Sequence, residues 1–281
     1  MHNLVVRTLT GAVYVLLLVG CTVYGPVSAF FFFATVAAAT LWEFGTNMNT
    51  HLHAAMPRPV NAMAGVVLVA AVWLSAIASD QTARMFALYG LLMLYLPVSA
   101  LYRHSDSPLR DWTLCFASQA YVALPFALLP LLSIVYDAET GAFAYNWIYP
   151  LALFIFIWVN DTFAYLCGWT LHKYIPYKLF PRISPKKSWI GSIGGGLFTL
   201  LSAVVLWRWQ SDTMPLLRWM GFALTIVVAG TWGDLVESLI KRQLGVKDSG
   251  NVLPGHGGLL DRFDSALLAI PASVIYFILT A

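Results

Sequence analysis

Nine apolar runs recur from one end of this 281-residue chain to the other, and no other feature restricts its fold so severely. Each is close to the roughly 20 helical residues needed to cross a hydrocarbon core. They fall at about residues 9–24, 26–44, 59–79, 84–102, 113–135, 148–170, 190–208, 215–240 and 265–281. In lipid a backbone must satisfy its own N–H and C=O groups, which leaves helices or a closed barrel. A barrel strand would show about 10 residues of alternating polarity, whereas these runs are continuous. The fold class expected is therefore all-α, a polytopic integral membrane protein. Only 10% of the residues are charged, against roughly 25% in an ordinary soluble domain. A water-soluble enzyme is excluded, and no nucleic-acid partner is expected.

The charges that remain are distributed unevenly. With nine spans, thirteen of the sixteen basic residues fall on the side of the N-terminus, and only Arg84, Arg208 and Arg218 fall on the other. The positive-inside rule makes the basic side cytoplasmic, so the N-terminus is expected inside and the C-terminus outside. An even number of spans would spoil this asymmetry. Arg7, an apolar stretch and Leu18-Val19-Gly20-Cys21 imitate a signal peptide with a lipoprotein cleavage site, but eight further spans make a signal-anchor helix the simpler reading. Cys21, Cys115 and Cys167 are isolated and odd in number, which points to neither a disulfide framework nor a thiolate metal site.

Polar residues gather in the second half, so residues 1–146 read as a transmembrane scaffold and residues 147–281 as the catalytic region. Glu43, beside Trp42 near the end of the second run, reads as an interfacial residue. Pro125 and Pro130 are expected to kink or shorten the fifth span. Asp161, next to Asn160, places a carboxylate in the sixth. A carboxylate at mid-bilayer costs roughly 2.5–3.5 kcal/mol and so usually faces a polar cavity, a cation or a partner. Asn160, Asp161 and Tyr165 would form one polar face. The loop Ser184-Pro185-Lys186-Lys187-Ser188 combines ammonium groups and hydroxyls ahead of a helix N-terminus, a good seat for phosphates. Gly191, Gly194, Gly195 and Gly196 match no nucleotide-binding loop and read as close helix packing.

The strongest signal lies further on. Asp234, Glu237, Ser238 and Lys241 stand at i, i+3, i+4 and i+7, along one face of a helix. Lys247-Asp248 and the glycine-rich Leu253–Gly258 follow, and then Asp261-Arg262-Phe263-Asp264 opens the last span. Carboxylates from two helix ends among lysines and arginines suit a divalent cation carrying a polyphosphate.

The stretch SLIKRQLGVKDSGNVLPGHGGLLDRFD, from Ser238 to Asp264, resembles the signature of the CDP-diacylglycerol synthase (phosphatidate cytidylyltransferase) family at every fixed position. The segment from Trp158 through SPKKSW and GSIGG resembles a second region of that family, so the likeness covers about residues 150–270. It implies that CTP and phosphatidate react to give CDP-diacylglycerol and pyrophosphate, in phospholipid biosynthesis at the cell membrane. It implies a magnesium requirement, with room for a second, monovalent cation such as potassium, and it is compatible with a homodimer. By position, Asp234 and Asp261 would hold the metal, and with Asp264 and Lys241 would form the catalytic set. Ser184, Lys186, Lys187, Ser188, Arg242, Lys247, Asp248, His256, Arg262 and Asp161 would bind substrate. Where the family commonly has Trp-Glu-Gly, this chain has Trp189-Ile190-Gly191. Two rivals use similar residues. A CTP-dependent polyprenol or dolichol kinase would transfer the γ-phosphate, and an ion-coupled transporter would also carry intramembrane carboxylates.

Overall fold

The computed structural model describes residues 2–137, 141–171, 173–252, 255 and 257–280. Among the described residues, nine helices are long and apolar enough to cross a membrane. They are α1 (His2–Tyr24), α2 (Pro26–His51), α3 (Arg58–Ala76), α4 (Thr82–Leu101), α5 (Pro108–Ser133), α6 (Ile148–Leu171), α7 (Trp189–Trp209), α8 (Leu216–Leu244) and α9 (Leu260–Leu279). The all-α expectation holds, and each helix coincides with one of the nine apolar runs. Leu16, Leu91, Leu94 and Val205 are among many large apolar side chains left exposed. On a soluble protein these would be costly, whereas hydrocarbon accepts them.

Local chemistry explains where the helices begin and break. Prolines occupy the first turn of α2, α3 and α5, where the missing N–H had no intrahelical partner to lose. The fifth span is irregular, as its prolines require. It runs through a π-helical turn at Gln119–Ala123, is interrupted at Leu129 before Pro130, and ends at Ser133. The last span starts at Leu260 rather than 265, so Asp261 and Asp264 belong to the first turns of α9.

Two small antiparallel hairpins were not expected from the sequence. Strand β1 (Ile134–Asp137) pairs with β2 (Ala142–Tyr145), and β3 (Lys178–Phe180) pairs with β4 (Ser184–Ser188). In β4, Pro185 biases Ser184 toward extended backbone, so the basic loop becomes a strand. Its last residue then changes role: Ser188 is extended and its Oγ accepts the N–H of Gly191 at 3.3 Å, capping α7.

The contacts divide the chain into two units, Met1–Ile148 with Gln243–Phe263, and Tyr149–Arg242 with Asp264–Ala281. In the first, Phe263 is fully buried, with Tyr14 and Phe126 edge-on to it at 5.6 and 5.2 Å between centroids. In the second, Trp219, Phe222 and Phe156 are fully buried and packed against one another. The glycines of α7 are packing glycines. A Cβ at Gly191 would lie 2.6 Å from the Ala164 carbonyl oxygen, and one at Gly195 would lie 2.6 Å from that of Asn160. Their absence of side chains lets α7 approach α6 closely enough to wall a cavity.

Candidate active site

That cavity lies within the second unit and measures about 580 Å³. Helix α6 contributes two adjacent rows at i, i+4 spacing, Asn160, Ala164 and Gly168 beside Asp161, Tyr165 and Trp169. The hairpin contributes Lys178 and the run Pro185 to Ser188, α7 adds Gly191 and Ser192, and α8 adds Thr231 and Asp234. Five residues anticipated as a site, Asp161, Lys186, Lys187, Ser188 and Asp234, therefore share one wall although they come from three segments of chain.

Asp234 is held from two sides. The Lys187 ammonium stands 2.6 Å from its Oδ2, and Ser238, one turn further along α8, donates its hydroxyl to Oδ1 at 3.2 Å. Asp161 feels the charges of both Asp234 and Lys187. Asp264 in turn lies within electrostatic reach of Asp161, Asp234 and Glu237. Gly233 allows this last approach, since a Cβ there would stand 2.6 Å from the Asp264 carbonyl oxygen. Glu237 has a fully buried side chain and pairs with Lys241 at 2.5 Å. Lys241 thus neutralises a buried carboxylate. Asp161, Asp234, Glu237 and Asp264 form a group of four carboxylates, and Asp234 and Glu237 have ammonium partners. Among the described residues no three His, Cys, Asp or Glu side chains are grouped closely enough to hold a metal unaided.

The remaining anticipated residues are placed otherwise. Ser184 opens β4, outside the cavity lining, and Arg242 is exposed with its Nε donating to the Ile183 carbonyl at 3.4 Å. In the first unit, Lys247, Asp248 and Arg262 are exposed. Asp261 is tied into the glycine-rich loop, where its Oδ2 accepts the backbone N–H of Ser249 at 2.8 Å, that of Gly258 at 2.9 Å and the Ser249 hydroxyl at 2.9 Å. Gly255 and Gly257 adopt positive φ, +75° and +81°, which lets the loop turn without strain. His256 lies outside the described residues. Ile190 is not part of the cavity wall.

The sequence reading passed over several residues. Lys178, Trp169, Ser192 and Thr231 line the cavity although none of them was singled out as a site residue. The interfacial reading of Glu43 is corrected: its side chain is buried and accepts hydrogen bonds from Ser249, Leu259 and Leu260. The same cost of a carboxylate within a span that singled out Asp161 applied equally to Glu43.

A family model described as the Cytidylyltransferase family matches residues 5–280. The chain is 33% identical over 281 residues to a phosphatidate cytidylyltransferase of Staphylococcus epidermidis, covering 98% of this chain and 99% of that one. It is 33% identical over 272 residues to that of Staphylococcus haemolyticus and 32% identical over 270 to that of Staphylococcus aureus, in both cases covering 95% of this chain and 96% of the relative.

Proposed function

Because the chain belongs to the cytidylyltransferase family, we propose that it is a multi-pass phosphatidate cytidylyltransferase of the cell membrane, converting CTP and phosphatidate to CDP-diacylglycerol and pyrophosphate. The observation that carries this reading is the single cavity in which Lys186, Lys187 and Ser188 face Asp161 and Asp234. Basic and hydroxyl donors opposite carboxylates provide for two anionic substrates and a cation at once.

In the reaction a phosphatidate phosphate oxygen attacks the α-phosphorus of CTP. The bond from that phosphorus to the α,β-bridging oxygen breaks, and pyrophosphate leaves. The nucleophile is already ionised, so no general base is required. What the chain must supply is alignment and charge neutralisation, the usual means of catalysing phosphoryl transfer. Lys187 gives up Asp234 and binds a phosphate. Lys186, exposed on the neighbouring position of β4, neutralises a second phosphate, and Ser188 donates its hydroxyl from the cap of α7. Tyr165 and Trp169 complete the lining.

The donor set of this unit suits magnesium. Its ligating candidates are all oxygens, and its carboxylates outnumber their ammonium partners. Magnesium is normally held by one or two carboxylates together with substrate phosphates and water. Asp234, on the cavity wall, is the residue to hold it, and Asp261 as a second ligand rests on the family resemblance. Bound there, the cation would neutralise the triphosphate and make the α-phosphorus more electrophilic.

The reading also puts the N-terminus and the site on the cytoplasmic side, supported by the excess of basic residues there. A cysteine replacing Lys173 in a cysteine-free protein should react with a membrane-impermeant thiol reagent only from the cytoplasmic face. The activity itself is tested with purified protein, phosphatidate and CTP labelled at the α-phosphate. Label should enter lipid only when magnesium is supplied, and transfer of a γ-label instead would favour a lipid kinase.

A further inference from the structure

Ser249 and the start of α9 in the first unit are held by a residue more than 200 positions earlier in the chain. Glu43, on α2, is 6% exposed. Its Oε1 accepts the Ser249 hydroxyl at 2.6 Å and the Leu260 N–H at 3.0 Å, while Oε2 accepts the Leu259 N–H at 2.9 Å. The first N–H groups of a helix have no intrahelical acceptors, and the N-terminus attracts negative charge. Glu43 therefore caps α9 from another helix.

Three further features show that this position is built. Asn47 follows Glu43 by one helical turn, and its Nδ2 donates to the Ser249 carbonyl at 2.5 Å. A Cβ at Gly250 would lie 2.7 Å from Glu43 Oε2, and one at Gly258 would collide with Glu43 Oε1, so both loop segments approach the carboxylate only as glycine. Arg7 on α1 donates its Nε to the Gly255 carbonyl at 2.7 Å. Every one of these contacts reaches from α1 or α2 into residues 249–260. Ser249 also joins the two carboxylates, its hydroxyl being within hydrogen-bonding distance of both Glu43 and Asp261.

We infer that Glu43 is a positioning residue for the reaction: it fixes Ser249, Leu259 and Leu260, and through Ser249 and the first turn of α9 it fixes Asp261. The inference rests on the proposed function for its link to catalysis, and on the hydrogen bonds alone for its link to the loop. Those N–H groups are filled by a side chain, so substrate phosphate binds elsewhere, at the basic strand.

The test uses full-length protein in detergent, with Glu43→Gln, Glu43→Asp and Asn47→Ala compared with wild type. In Glu43→Gln the amide NH₂ takes the place of one oxygen and confronts the N–H of Leu259 or of Leu260, so one charge-assisted acceptor is lost. Hydrogen exchange measured without magnesium or nucleotide should then be faster by about tenfold or more across residues 249–260. Exchange in α3 should be unchanged, and Asn47→Ala should show a smaller effect of the same kind. In the cytidylyltransferase assay, the magnesium concentration giving half-maximal rate should rise about tenfold in Glu43→Gln, for the same lost interaction, and partly recover in Glu43→Asp. A purely structural role would lower the active fraction and leave that concentration unmoved. Wild-type exchange across 249–260, or unaltered magnesium dependence beside faster exchange, overturns the inference. A wild-type protein that transfers no α-label would refute the proposed function, and the exchange arm would still decide the role of Glu43 in the loop.

Discussion

The ammonium of Lys187 lies 2.6 Å from Oδ2 of Asp234, and both side chains are about a quarter exposed, at 25% and 28%. An ion pair with that much access to solvent stabilises a fold by about 0–1 kcal/mol. Its value lies in being exchangeable. A phosphate can take the ammonium while a cation takes the carboxylate, so the ligand-free pair holds both groups ready at the cavity wall. Lys187→Gln should therefore raise the KM for CTP by about tenfold or more, the loss of a charge-assisted contact, and hardly change the melting temperature. Steady-state kinetics and thermal unfolding of the same preparation check both halves.

Replacing the other partner has a different signature. Asp234→Asn keeps the shape of the side chain but removes the charge proposed to hold magnesium. Turnover at saturating CTP should fall by about a hundredfold or more, the scale on which removing one electrostatic contributor is felt in a preorganised site. Wild-type turnover in Asp234→Asn would remove Asp234 from the metal site.

One turn along α8, the pair Lys241–Glu237 behaves oppositely because it is buried, with Glu237 at 0% and Lys241 at 15% exposure. Removing one member of a buried pair costs about 3–5 kcal/mol, whereas replacing both by apolar residues is often neutral. Lys241→Met should lower the unfolding temperature in detergent markedly, and adding Glu237→Leu should restore much of it. Unchanged stability in Lys241→Met would mean the pair contributes nothing to the fold.

Gly195 tests the wall of the cavity. A Cβ there would meet the Asn160 carbonyl oxygen at 2.6 Å, Asn160 Oδ1 at 2.7 Å and Ala164 Cβ at 3.0 Å. Alanine gains up to about 1 kcal/mol of helix propensity, but overpacking against a neighbouring backbone costs about 1–3 kcal/mol. Gly195→Ala should thus be destabilising and, by displacing Asn160 and Asp161, should lower activity. Gly90→Ala, with nothing within 4 Å of the added Cβ, should be neutral or stabilising. Thermal unfolding of the two variants separates packing from propensity.

What could be read from the sequence follows from the range of the forces involved. Span number and length are local properties, because lipid demands an apolar run wherever a helix crosses. The stripe from Asp234 to Lys241 is also local, set by helical periodicity. Asp161 was singled out by the cost of intramembrane charge, and Lys187 and Asp234 by their charge patterns and the family resemblance; that the three line one cavity is a long-range property of the fold. The hairpin that carries Lys186 and Lys187 escaped notice, because strands of three and five residues are too short to show a clear periodicity. Glu43 was misread for a different reason. Its partners Ser249, Leu259 and Leu260 lie 206 to 217 residues away, and two of them contribute only backbone N–H groups, which leave no trace in side-chain chemistry.

The central claim concerns which phosphorus atom reacts. Purified protein in mixed micelles of detergent and phosphatidate, given magnesium and CTP labelled separately at the α- and γ-phosphates, measures it directly. The account predicts α-label in the lipid, γ-label released as pyrophosphate, and neither event without magnesium. γ-Label in the lipid, or intact CTP alongside folded protein, would contradict it.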